Sequence, residues 1–552
     1  MKCFSGSVLK RLAVLVCIGG ALYSCKKSSP LVKKDEPEKE DTTSTGIDTV
    51  IVPPTREELT RDSIFYYAKE VYLWQDALPA DTIFKPRSFK SQSTPLLNYE
   101  KELYAITQYP KMPGKSYSYE YVNTGAYPKY SYITDITTQN PVASIKSRKS
   151  SVDLEGNGYD FGLSLGAYGS PTAYKIYVKA VYPGSPAALA GLKRGDNFNV
   201  INGTTIGSNY NSEFNLFYNA FFESAAITLK GKTRGGADLN VSLARASYKS
   251  SPIYKDTIIT VGAKKIGYMS YARFSNPSNS TGEFDRVFGA FKAQGVTDLI
   301  IDLRYNGGGY VSSAEYLINL IAPAAKSGTT MFTEYYNNLM QQNYAVRNSK
   351  PTAPLLAKQY ILDANDSRSD QNHDGKWDTY ADIDFSPSNQ TTRFSRLSNS
   401  LSGINKVAFI VSDNTASASE LVINSLKPHM AVKVFGEKSY GKPVGFFPIR
   451  IDKYDVYFSM FQTKNSEGKG DYFEGIAPDV VADDILAYDT WDIREASMAA
   501  AYSYITSSTV SSVSSKQTSK VLAKAPAVLE IPGKSLSDLE FKGMIENRVK
   551  IK

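Results

Sequence analysis

Cysteine and histidine are almost missing from this 552-residue sequence. Its three cysteines, Cys3, Cys17 and Cys25, all fall within the first 25 residues, and its two histidines are His373 and His429. The rest of the chain can therefore build no disulfide framework, no cysteine metal site and no thiol nucleophile. A Ser-His-Asp enzyme would have almost nothing to draw on. A strong charge of one sign is also lacking. The net charge is +8, part of it from Lys2, Lys10 and Arg11, and spread over the chain it leaves no electrostatic footprint for nucleic acid. The one apolar run near the amino terminus, Leu12 to Leu22, is too short to span a membrane comfortably. The glycine cluster Gly307-Gly308-Gly309 is no phosphate loop, since no Gly-Lys-Ser/Thr follows and the G-x-G-x-x-G spacing is absent.

What is present begins with a leader. The basic residues followed by the short apolar run read as a secretory signal over residues 1–24. It ends in Leu22-Tyr23-Ser24-Cys25, which resembles a bacterial lipobox and implies lipidation of Cys25 and a membrane tether. The lysines after Cys25, with no immediate acidic pair, point to an outer-membrane lipoprotein facing the periplasm. Residues 25–54 are rich in Lys, Asp, Glu, Ser, Thr and Pro and cannot bury enough surface to fold, so they read as a flexible tether.

From Thr55 the pattern changes. Ile64, Tyr67, Ala68, Val71 and Leu73 recur at helical spacing, and a second helix is expected around Tyr99 to Thr107, giving a helical amino-terminal region over 55–150. The tyrosines of 117–132 suit half-buried packing better than glycan binding. Residues 151–250 read as a compact β-rich module, with strands at Tyr159–Leu165 and Tyr174–Val181 and a flanking helix at 212–224. Over 251–490 strands and helices alternate, which predicts an α/β domain. Residues 491–552 are expected to hold a helix and a flexible, Ser/Thr-rich tail.

Within the α/β region, the apolar run Val407–Val411 predicts a strand. Thr415-Ala416-Ser417-Ala418-Ser419-Glu420 then turns into a helix, Leu421 to Lys427. Ser417 is expected at an exposed turn, beside the unpaired N–H groups of a helix start. The same string fits a capping box, with Glu420 reaching back. Lys442 lies 25 residues after Ser417 and supplies a base where histidine is scarce. Tyr440, Val444, Phe446 and Phe447 around it offer an apolar setting that would lower its pKa. Three glycines behind the strand Val296–Leu303 let the backbone approach a substrate closely.

Phe161-Gly162-Leu163 together with Gly184-Ser-Pro-Ala-Ala-Leu-Ala-Gly-Leu-Lys-Arg-Gly-Asp196 resembles a PDZ domain of the bacterial protease type. With Ser417, Lys442, the glycines and Gly475-Ile-Ala-Pro-Asp479, residues of about 150 to 480 resemble the carboxy-terminal processing (tail-specific) proteases. The resemblance implies a multidomain α/β protein with a PDZ-like domain and a crotonase-like serine peptidase core. It implies Ser417 as nucleophile, Lys442 as general base, the N–H groups of Gly308 and Ala418 as the oxyanion hole, and Glu420 in support. Phe161, Gly162 and Leu163 would hold the carboxyl end of a polypeptide, and no cofactor is required. Two positions depart from the family pattern: Phe446 stands where a glutamine often orients the lysine, and Lys427-Pro428-His429 replaces an aspartate near the end of the serine helix. The competing readings are a catalytically weak or inactive PDZ adaptor and a serine-dependent esterase. Finally, Asp370, Asn372, Asp374 and Asp378 match the first nine positions of a calcium loop, although Ala381 occupies the twelfth. That loop reads either as a solvated acidic loop or as a structural calcium site.

Overall fold

The computed structural model describes residues 53–123, 125–138, 152–362, 367–371, 373–507, 536 and 543–545. Cys25 and nearly all of the expected leader and tether lie outside the described residues, as does most of the Ser/Thr-rich run after residue 507. The described residues from 54 onward form one compact unit. No described helix is long and apolar enough to cross a membrane.

The α/β region is built on a six-stranded sheet. Its order is Ile253–Val261, Lys264–Tyr271, Asp298–Asp302, Lys406–Val411, Ala431–Gly436 and Val480–Val481, with the first pair antiparallel and the rest parallel. Both faces are covered, as a mostly parallel sheet requires. Leu299, Ile301, Val407, Phe409 and Val411 enter the main core, whereas Ile300, Ala408 and Ile410 point the other way onto Met498, Ala501 and Ile505 of the helix Ala496–Thr506. This is the period of two expected of strands. The main-core face is covered by the helices Pro277–Gln294, Val311–Ile321 and Ala418–Leu426.

The β-rich module has its own core. Its sheet runs Leu163–Ser170, Ala173–Val181, Asn197–Ile201, Ala226–Lys232 and Asp238–Ala244, with Thr204–Thr205 beside the third strand. The helix Tyr210–Phe222 starts at Asn209, whose side-chain oxygen accepts from Ser212 N–H, and packs Phe214 and Phe217 inward. The single strand expected over 159–165 is instead two, Asn157–Asp160 and Leu163–Ser170. They break at Gly162, whose φ of 80° no extended strand can accommodate.

The amino-terminal region holds the two expected helices, Arg56–Val71 and Pro95–Thr107, and its Ile64, Phe65 and Leu103 share the main core with Phe409 and Phe458. Its strand Tyr132–Asp135 pairs antiparallel with Tyr454–Tyr457. Periodicity reports which face of an element is apolar but not which partner covers it. The carboxy-terminal tail is also not wholly free. Leu536 is buried in the β-rich module's apolar cluster, and Gly543–Ile545 forms a strand.

A buried ionic network joins the modules. Asp484 meets Arg194 of the β-rich module at 2.5 Å and Arg304 of the α/β core at 2.6 Å. Arg304 also holds Asp302 and Glu495, each at 3.0 Å. Arg234 pairs with Asp489 at 2.6 Å. Arg304 directly follows the central strand Asp298–Asp302 and Leu303, so the network ends three residues before the glycine cluster.

Candidate active site

Ser417 sits where the strand Lys406–Val411 gives way to the helix Ala418–Leu426, and its φ of 60° is left-handed. A non-glycine residue held there costs about 1–3 kcal/mol and persists only where its surroundings over-determine it. Those surroundings are visible. Asn306 O accepts from Ala416 N–H at 3.1 Å and from Ser419 Oγ–H at 3.0 Å, tying the serine turn to the glycine cluster. Thr415 Oγ1–H donates to Leu303 O at 2.8 Å.

Glu420 fixes the turn from the other side. Its buried carboxylate accepts N–H groups from Ser417 at 2.8 Å, Gly441 at 2.7 Å and Lys442 at 2.8 Å, and also the Ser439 hydroxyl. Burial raises its pKa, opposed by these hydrogen bonds. One carboxylate clamps the serine turn and the lysine turn together.

Lys442 is 1% exposed; Val444, Phe446 and Phe447 are buried, whereas Tyr440 is half-buried. Its Nζ donates to Tyr130 O at 3.3 Å and lies 4.3 Å from the centre of the Phe446 ring. Burial pulls its pKa down to about 7, against the opposing pull of the Glu120 and Glu420 charges, while Lys129 lowers it further. An amine so placed is half in its basic form near neutral pH.

Sequence reasoning missed two contributors, both from the tyrosine-rich segment. Tyr130 offers its carbonyl to Lys442 and donates its hydroxyl to Gly441 O at 2.6 Å. Glu120 is buried nearby and accepts from Tyr72 Oη–H, Ser459 Oγ–H and the N–H groups of Tyr130 and Ser131. More than 300 residues separate Glu120 from Lys442 in sequence, and no local pattern could have joined them.

Other expectations meet the geometry differently. Ser417 is not exposed: its relative exposure is 0%, and its Oγ has no hydrogen-bond partner among the described residues. The Ser417–Lys442 hydrogen bond is thus not made in this state. A helix start leaves a serine open only if nothing packs near it, and here Gly308 lies against Ser417 while Gly543 O borders the same space. A Cβ placed on Gly308 would meet Gly543 O at 2.4 Å and Ser417 Cβ at 2.9 Å. Of the two expected oxyanion donors, Ala418 opens the serine helix, while Gly308 N–H already donates to Asn306 Oδ1 at 2.9 Å. His429 belongs to another place, edge-on to Phe394 with Nε2 3.0 Å from Ser466 Oγ.

In the β-rich module, Phe161 and Leu163 are buried, and Gly162 N–H donates to Asp160 Oδ1 at 2.6 Å. At the acidic loop, Asp370 accepts backbone N–H groups of Asp374 and Gly375, and Asp378 accepts that of Gln371. Asn372 lies outside the described residues. No group of three or more His, Cys, Asp or Glu among the described residues is arranged to hold a metal ion.

The fold matches that of a solved protein. The crystal structure of a protein from Bacteroides fragilis NCTC 9343 assigned to the S41 proteases superimposes with a TM-score of 0.50 at 20% identity, covering 80% of this chain and 96% of that one. Residues 265–482 match Peptidase family S41, so this chain carries an S41 peptidase domain. Among curated proteins it is 22% identical over 335 residues to the chloroplastic C-terminal processing peptidase of Tetradesmus obliquus, covering 58% of this chain. It is 25% identical over 332 residues to a CtpA-like serine protease of Staphylococcus aureus strain N315, covering 60% of this chain. The match spans 60% and 54% of the lengths of these two relatives.

Proposed function

We propose that this chain is a serine endopeptidase in which Ser417 attacks the peptide carbonyl and Lys442 takes its proton. The observation that carries this reading is the burial of Lys442, which brings its pKa to about 7, with its backbone and that of the strained Ser417 held by the one Glu420 carboxylate, within residues that match family S41. Lys442 passes the proton to the leaving amine, and water then hydrolyses the acyl-enzyme. Ala418 N–H and Gly308 N–H stabilise the developing oxyanion, at about 3 kcal/mol per well-placed donor. Gly308 must first exchange its bond to Asn306, so the structure corresponds to a resting form.

The β-rich module acts as a PDZ domain, capturing the carboxyl end of a polypeptide at Phe161-Gly162-Leu163 by strand addition. The chemistry needs no cofactor, and calcium at Asp370, Asn372, Asp374 and Asp378 would be structural. Cys25 anchors the protein in the outer membrane, facing the periplasm. Incorporation of labelled fatty acid, lost in Cys25→Ala, is the result expected of that anchor.

The central test compares the wild type with Ser417→Ala and Lys442→Ala on an unfolded protein with an apolar carboxyl end. Cleavage by the wild type alone supports the dyad, and equal cleavage by all three sinks it. Tail binding without cleavage by any chain would make the protein an adaptor. Hydrolysis of esters but never of peptides would make it an esterase.

A further inference from the structure

The strand Gly543–Ile545 pairs parallel with Gly308–Tyr310 in an isolated two-stranded unit, in the register Gly308 to Gly543, Gly309 to Met544 and Tyr310 to Ile545. Gly543 N–H donates to Gly307 O at 3.0 Å. Gly308 has no side chain to fend off the incoming chain, and its φ of 104° turns its backbone toward it. The carbonyl of Gly543 and the Cβ of Ser417 border the same small space, 2.4 Å and 2.9 Å from the point where a Gly308 Cβ would stand. Seven residues earlier, Leu536 is 7% exposed in the apolar cluster that holds Phe161, Leu163 and Phe214. The same tail therefore touches the β-rich module and the space above the serine. Those are the two places an extended polypeptide would occupy under the function proposed above.

We infer that Gly308–Tyr310 is a peptide-docking edge beside Ser417, and that Gly543–Ile545 of this chain is its ligand in cis, with Leu536 as a second contact. Among the described residues this strand pairs with the glycine edge alone, and that edge is itself tied to the core by the bridge from Gly309 to Phe274. Recognition through main-chain hydrogen bonds tolerates many sequences, which suits an edge built from glycines. A tethered segment presents itself at an effective concentration of the order of millimolar, so it excludes free peptides of ordinary affinity. It also accounts for the complete burial of Ser417. The tail leaves when a polypeptide outcompetes it at both contacts.

The inference rests on the peptidase reading for its kinetic consequence but not for the binding itself, and two measurements keep them apart. Both use the full chain with Gly543→Pro, which removes the N–H given to Gly307 O, and Leu536→Asp, which puts a carboxylate among apolar side chains. The first follows binding of a fluorescein-labelled synthetic peptide of residues 534–552, by anisotropy, to chains that also carry Ser417→Ala. The chain with both tail substitutions should bind the peptide at least ~10-fold tighter than the chain whose tail is intact. Equal affinity for both, or no binding to either, would overturn the inference. The second measures cleavage of labelled casein with Ser417 in place. A rate raised ~5-fold or more by the tail substitutions supports the inference, and an unchanged or lower rate contradicts it. If no chain cleaves casein, the peptidase reading fails and the binding measurement alone decides.

Discussion

The Lys442 amine is buried, and the loss of water lowers its pKa by more than the charges of Glu120 and Glu420 raise it. Phe446 stands 4.3 Å from its nitrogen where the family pattern often has a glutamine, and the effect is to keep the amine basic rather than to orient it by a hydrogen bond. Orientation comes instead from Tyr130 O. Replacing the ring with an amide, Phe446→Gln, should raise the lysine's pKa and move the rising limb of kcat/KM upward by ~1 pH unit, measured on a peptide substrate. The same lysine makes a stability prediction. Between about pH 7 and its unfolded value near 10.5 the unfolded chain holds a proton that the native chain lacks. Stability from this group therefore rises with pH across that window, and Lys442→Met should flatten that part of the Tm–pH curve.

At the scale of elements, the serine helix is held less by its own propensity than by Glu420. Glu420→Ala would leave buried N–H groups of Ser417, Gly441 and Lys442 without their acceptor and should cost about 3–5 kcal/mol in chemical denaturation, with loss of cleavage. The isosteric Glu420→Gln keeps one acceptor oxygen and should lie between the two. The elements show what could be read from sequence and what could not. The strand Lys406–Val411, the turn at Ser417 and the helix beyond were legible because an apolar run, a small-residue turn and helical spacing all lie within twenty residues. The roles of Tyr130 and Glu120 were not, since the segment's tyrosines signal only half-buried packing. Nor was the burial of Ser417, or the approach of Gly543 to the same space from more than 100 residues downstream.

Across the whole molecule, Asp484 binds the β-rich module to the α/β core. Arg194 and Arg304 hold its carboxyl well below the ordinary carboxylate range, against the opposing effect of burial. A depressed carboxylate contributes stability that is complete above about pH 4 and is lost as the pH falls below it. Asp484→Asn should therefore lower Tm near neutral pH and lessen its fall in acid. It leaves two buried guanidinium groups short of a partner, at a cost of about 3–5 kcal/mol. Under the proposed function, Ser417 of the intact protein is a nucleophile made reactive by Lys442. The most direct measurement is the rate at which a fluorophosphonate labels the chain, located by mass spectrometry, from about pH 5.5 to about pH 8.5. The label should fall on Ser417, at a rate that climbs through about pH 7, and Lys442→Met should slow it by ~10³-fold or more. Labelling elsewhere, a rate indifferent to pH, or a rate untouched by Lys442→Met would contradict it.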